Sequence, residues 1–233
     1  MVNDRKKLRL VHTSDLHLGI DLYPEGAMAG LDAVLALSDE RKADVVLIVG
    51  DLFDDFRVPD GTVRLVKDRL EGTGKPVIIL PGNHDTVLTR GRWPAGRHSN
   101  VTVLTQAAGE SVEFADLGLT VWGRPVNDHS PQFRPLEGLP PRPENGWFVS
   151  MAHGLFVDSH QDAHRSSPVT PEEIARAACD YIALGHVHVF RDVSQNGVPA
   201  FYSGAPSGYQ ARTVALVDMV PDEGVTVSPL PVA

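Results

Sequence analysis

The sequence predicts an α/β protein built around a parallel sheet, on three observations. Residues 8–14, 45–50 and 77–82 are continuous, β-branched apolar runs without alternation, as in strands buried on both faces. Segments of helical periodicity separate these runs. Each run also stops at residues of metal-ligating type: Asp15 and His17, then Asp51, then Asn83, His84 and Asp85. In open α/β sheets, ligands bind beyond the carboxyl ends of the strands.

After the first run, residues 26–40 place Leu31, Val34, Leu35 and Ser38 on one helical face. Pro59-Asp60-Gly61 opens a second helix with Val63, Val66 and Leu70, and Gly72-Thr73-Gly74 ends it. Right-handed crossovers through two such helices make the three strands parallel. From Val101 the pattern changes. Residues 101–104, 111–114 and 119–123 read as strands joined by short turns, partly antiparallel. Residues 124–146 are proline-rich and aperiodic, a long surface loop that is functional, mobile or an inert insertion. A strand at 148–152 then ends in His153-Gly154. Thr170-Pro171-Glu172-Glu173 spells a helix start: a capping threonine, a first-turn proline and a glutamate three residues on. The strand at 181–185 ends in His186-Val187-His188, whose two histidines share a side if the backbone is extended. Further strands are expected at 190–193, 200–202, 213–218 and 225–227. With no repeat, low-complexity tract or linker, residues 1–233 are expected to form a single domain.

At 42% hydrophobic and 22% charged, the chain has enough apolar mass for a substantial core. Its net charge of −9 argues against tight unaided binding to duplex DNA, whose affinity rests on neutralising phosphates. It does not exclude phosphate chemistry, because bound divalent ions add local positive charge. Cys179 is the only cysteine, so no intrachain disulfide forms, and it reads as a small buried residue. The polar start lacks a signal peptide pattern and no apolar run is long enough to span a membrane. A cytoplasmic location is expected.

Five strand ends thus offer Asp15, His17, Asp51, Asn83, His84, His153, His186 and His188. Mixed carboxylates and imidazoles suit first-row divalent ions such as Mn, Fe, Zn, Ni or Co. The set exceeds what one ion needs, which points to a two-metal site able to clamp both oxygens of an in-line phosphoryl displacement.

The segments SDLHLG, GDLFDD, PGNHD, MAHG and LGHVH occur in the order seen in the calcineurin-like metallophosphoesterase superfamily, which this chain resembles over about residues 8 to 206. Within it, VHTSDLHLG, DYIALGHVH and FYSGAPS look most like the catalytic domains of SbcD-type DNA repair exonucleases. The resemblance implies two mixed β-sheets packed as a sandwich flanked by helices, in four layers α/β/β/α. It implies that Asp15, His17 and His188 bind one ion, that Asn83, His153 and His186 bind the other, and that Asp51 bridges them. Manganese is the expected metal. A hydroxide between the ions would attack in line, and His84 would contact the phosphate and assist the leaving group.

Asp85 reads either as the carboxylate that orients His84 or as a helix cap. Asp54 is expected to brace its loop or support a ligand, and Asp55 to face solvent. Arg90, Arg92, Trp93 and Arg97 follow the third motif. They read as a phosphate grip with a base-stacking ring, or as a solvated loop with one buried aromatic. Arg124 is a weaker substrate candidate. Tyr202-Ser203-Gly204-Ala205-Pro206 is expected to support the site. His98, His129, His160 and His164 fall outside the motifs and read as surface histidines.

The SbcD-like nucleases continue into a capping region and work with an SMC-like ATPase; this chain is expected to lack the capping domain. The substrate expected is a phosphodiester, either DNA ends or a small diester such as a cyclic nucleotide. The alternative is a non-catalytic, metal-bound scaffold.

Overall fold

The computed structural model describes residues 5–19, 26–94, 96–158 and 166–232. β1 (Leu8–Thr13), α1 (Ala27–Glu40), β2 (Val45–Val49), α2 (Asp60–Gly72) and β3 (Val77–Leu80) follow in order, and the three strands pair in parallel. Every residue of β2 and β3 is buried. Val46, Ile48, Val77 and Ile79 face Leu31 of α1 and Val63, Val66 and Leu70 of α2. Val45, Leu47, Val49, Ile78 and Leu80 face a second sheet. Two apolar faces per strand explain why these segments do not alternate. Each fully buried Val, Leu or Ile contributes about 1.5–3 kcal/mol.

A single turn, α3 (Thr86–Thr89), leads to β4 (Gly96–His98) and β5 (Val101–Val103). β5 extends the sheet in parallel beside β3, and β4 closes that edge antiparallel. Arg97 therefore sits on an edge strand rather than in a loop.

The second sheet starts with β6 (Glu110–Phe114), a 3₁₀ turn and β7 (Leu119–Gly123). It continues through β8 (Trp147–His153), the short parallel pair β9 (Leu155–Phe156) and β10 (Pro168–Val169), α4 (Pro171–Arg176), β11 (Tyr181–Gly185), β12 (Phe190–Asp192) and β13 (Ala200–Ser203). Its order is β12-β13-β11-β8-β7-β6, parallel within and antiparallel at both edges. The chain then returns to the first sheet as β14 (Thr213–Val220) and β15 (Gly224–Pro231), and β14 pairs antiparallel with β1.

The sheets pack face to face, with Leu119, Val121, Trp147, Met151 and Tyr181 of the second against β1, β2 and β3 of the first. The fold is thus two large mixed sheets flanked by helices. The outer layer on the second sheet is slight: Ile174 of α4 and Leu136 of the proline-rich loop cover Phe148, Ile182 and Leu184. Residues 124–146 contain no helix or strand. Thr170 caps α4 by accepting from the Glu173 N–H, and the Glu173 side chain returns a bond to the Thr170 N–H. Among the described residues, no helix is long and apolar enough to cross a membrane.

Candidate metal centre

The carboxyl ends of β1, β2 and β3 and those of β8 and β11 meet at one end of the sandwich. The turns after β1 and β2 run side by side: Asp15 N donates to Gly50 O at 3.0 Å, His17 N to Asp51 O at 2.9 Å and Leu18 N to Leu52 O at 2.8 Å. Asp15, His17 and Asp51 take left-handed backbone, at φ 55°, 49° and 53°. Unfavourable backbone on three adjacent ligand-type residues marks a site where position outweighs local preference. His186 is also left-handed, at φ 97°. The extended geometry expected for 186–188 is therefore absent. The break parts the two histidines, sending His188 to Asp15 and His186 to Asp51 and His153.

Three donor groups result among the described residues; one of them, His17 with Asp54 and His84, shares His17 and lies at the exposed rim, and the other two form the centre. The ligand atoms of Asp15, His17 and His188 lie within 4.8 Å of one another, as do those of Asp51, His153 and His186. Asp51 Oδ2 stands between the groups, 3.3 Å from His153 Nε2 and 3.9 Å from His17 Nε2. Asn83 Oδ1 joins the second group, 3.1 Å from His153 Nε2.

The electrostatics are those of a concentrated negative site. His153 Nδ1–H donates to Val49 O at 3.0 Å, so the lone pair of a neutral ring sits on Nε2 and faces the oxygens of Asp51 and Asn83. That contact is repulsive unless a proton or a metal lies between. Burial disfavours a charged His153, but the Asp51 carboxylate outweighs it and raises the imidazole to about 10. Burial likewise opposes ionised Asp51, and the attraction of His153 overcomes it and lowers the carboxyl. Burial, then the charge of His153, lowers His186 to about 3, which leaves it a neutral donor. Asp15 Oδ1 is buried with no hydrogen-bond partner and lies 3.6 Å from His188 Nε2. Its Oδ2 accepts from Ser14 Oγ at 2.5 Å and His186 N at 3.0 Å, which fixes the carboxylate plane. The uncompensated buried oxygen of Asp15, and an Asp51–Asn83–His153 cluster that holds a proton where a cation could replace it, fit divalent cations.

Asp15 and His153 are fully buried, whereas His188 is half-buried and His84 exposed, so the centre opens on one side. His84 Nδ1–H donates to Asp54 O at 2.7 Å, and its ring stands 5.0 Å from that of His17. The orienting partner of His84 is thus the Asp54 carbonyl and not Asp85. Asp85 is buried, and its carboxylate accepts from Leu52 N, Phe53 N and Gly82 N, tying the second motif to the third. It begins α3 without a side-chain cap bond. The Asp54 carboxylate lies 3.4 Å from His17 Nδ1, an outer carboxylate that steadies an imidazole. Asp55 pairs with Arg57.

The expected substrate contacts are placed unevenly. Arg90 is exposed at the end of α3. Arg92 donates to Phe56 O, Val58 O and Asp60. Trp93 is 3% exposed and packs on Phe53 inside the core, so no face is open to a base. Arg97 lies over the Phe114 ring. Arg124 bonds Ala107 O, Arg134 O and Glu137 and covers Phe133. Ser203 Oγ lies 3.0 Å from Ser14 Oγ, so the segment after β11 does support the Asp15 turn. His98 is exposed beside Glu71. His160 and His164 lie outside the described residues. His129 is exposed, yet its ring centroid is 5.9 Å from that of His186. No motif flags it, because its loop has neither periodicity nor ligand spacing.

Residues 8–190 match the family model for calcineurin-like phosphoesterases. The chain belongs to that family, whose members are metal-dependent. Over 234 residues it is 28% identical to the metallophosphoesterase YhaO of Bacillus subtilis, covering 89% of this chain and 54% of that one. SbcD, a component of the nuclease SbcCD of the same organism, is 22% identical over 266 residues, with 94% and 68% covered. A Thermus thermophilus structure shares the fold at 12% identity and a TM-score of 0.58, over 96% of this chain and 99% of its own. The chain spans only about half the length of YhaO.

Proposed function

We propose that this chain is a two-metal phosphodiesterase, in which Asp15, His17 and His188 hold one cation, Asn83, His153 and His186 hold the other, and Asp51 serves both. The observation that carries this is Asp51 standing between two buried donor groups with the exposed imidazole of His84 alongside. When bound, such a pair polarises phosphoryl oxygens and makes water a nucleophile at neutral pH. The chain does the rest. The Asp54 carbonyl holds the His84 tautomer so that Nε2 faces the opening, where it can donate to a leaving oxygen once protonated. Asp85 locks the turns that carry Asp51 and Asn83.

A diester is favoured over a monoester by the likeness to a nuclease subunit, and either ester's alkoxide would need the proton donor that the exposed His84 can supply. Manganese is the proposed metal and the cytoplasm the proposed compartment. The net charge of −9 favours DNA ends or small diesters over long duplex. An SMC-like ATPase partner belongs to the DNA-end version and is tested by co-purification.

Hydrolysis of bis-p-nitrophenyl phosphate with Mn²⁺ is the direct test. His84→Ala should lose about 10²- to 10⁴-fold in kcat while keeping its metal. Asp51→Asn should lose both metal and activity. Wild-type rates in either variant would reject these roles. Metal binding without hydrolysis of any ester would favour a scaffold. A panel of single-stranded DNA and cyclic nucleotides at physiological salt separates the two substrate classes.

A further inference from the structure

We infer that His129 is a substrate-contacting residue of this centre, presenting an imidazole N–H to a non-bridging phosphate oxygen from the His186 side, across from His84. The inference rests on the two-cation phosphoesterase reading. His129 lies in the long loop between β7 and β8. Its ring meets that of His186 edge to face, at 5.9 Å and 73°, and His186 meets His153 at 5.2 Å. On the opposite flank His84 meets His17 at 5.0 Å, and His17 meets His188 at 5.3 Å. Each donor group is thus flanked by one exposed histidine, His84 on one side and His129 on the other.

The loop is anchored on both sides of His129. Val126 N donates to Pro81 O at 3.1 Å, just before Gly82 and Asn83. Ser130 O accepts from Ser167 N at 2.9 Å, and Ser167 O accepts from Leu155 N at 3.0 Å, two residues past His153. Ser130 Oγ donates to Asp128 Oδ2 at 2.9 Å and closes the turn around the histidine. One direct backbone tie to the motif of Asn83, and one relayed through Ser167 to the strand just past His153, hold this exposed imidazole against His186. Metal ligation is a poor account of it: among the described residues, His129 joins no group of three donors close enough to share an ion. A phosphate seated over both cations has oxygens directed to either flank, and an imidazole on each flank can hold it from both sides.

The test uses the Mn²⁺-loaded chain with His129→Ala and His129→Gln. It reads bis-p-nitrophenyl phosphate kinetics, metal content and the calorimetric affinity for inorganic phosphate. In His129→Ala we expect full metal content, a KM raised about tenfold or more, a smaller change in kcat, and phosphate affinity weakened by a similar factor. His129→Gln, which keeps an N–H donor, should recover part of both losses. Wild-type KM and phosphate affinity in His129→Ala would overturn the inference, as would metal loss there, which would make His129 a ligand. Should the wild type bind phosphate yet hydrolyse no ester, the phosphoesterase reading fails while phosphate affinity still decides His129. A wild type that neither binds phosphate nor hydrolyses any ester overturns both, and one that hydrolyses the ester without measurable phosphate affinity leaves the decision on His129 to KM.

Discussion

Gly82 and His12 show how single positions govern this molecule. A Cβ on Gly82 would fall on the Asp51 carboxylate and 2.6 Å from the Asp51 nitrogen. Gly82→Ala should therefore displace Asp51 and lower the metal content below two per chain, by elemental analysis, while the circular dichroism stays native. His12 is buried on β1, and its Nδ1 lies 2.8 Å from the Tyr181 hydroxyl. Burial lowers its pKa to about 3. Between about pH 6.5 and pH 3 the unfolded chain takes up a proton that the folded chain refuses, so stability falls as pH falls across that window. The pair His12→Met with Tyr181→Phe removes the titrating group and its partner together, which limits the cost of an unpaired hydroxyl. Its acid-unfolding midpoint should move to lower pH, and an unmoved midpoint would show that other groups control acid unfolding.

At the scale of elements, α4 is the most exposed to a single change. It has six residues and depends on its capping box and on buried Ile174. Thr170→Ala should cost about 1 kcal/mol, which lowers Tm by about 2–4 °C for a chain of this size. The capping box, the two long helices and the parallel strands were all legible in the sequence, because each rests on local pattern: a cap, a 3.6-residue face, a doubly buried run. β4 was not, because Gly96, Arg97 and His98 form a strand only through pairing with β5. The left-handed turn at His186 was equally hidden, since non-glycine residues rarely adopt it and only the converging ligands compel it. For Trp93 the sequence left a base-stacking ring and a buried aromatic both open, and packing on Phe53 selects the second. Asp85 shows the limit: the sequence suggested His84 or a helix cap, whereas the fold gave its carboxylate the backbone of the second motif. Nothing in the composition of the 124–146 loop pointed to His129.

On the scale of the whole molecule, the donor groups draw on both sheets, so cation binding links them. A metal that binds the folded chain alone at about a hundred times its Kd adds about 2.7 kcal/mol per site. Chelation should lower Tm by several degrees, and Asp51→Asn should shrink that difference when read by scanning calorimetry with and without excess Mn²⁺. Equal melting temperatures with and without metal would show that the sandwich holds its carboxylates and imidazoles in place unaided.

β14 completes the first sheet by pairing with β1, so Leu8 lies opposite Met219. During synthesis, the strand that leads into Asp15 leaves the ribosome with one edge bare and waits for some two hundred further residues before that edge is closed. Nascent chains caught in that interval carry an open apolar ribbon, which is when aggregation threatens and when chaperones would find their grip.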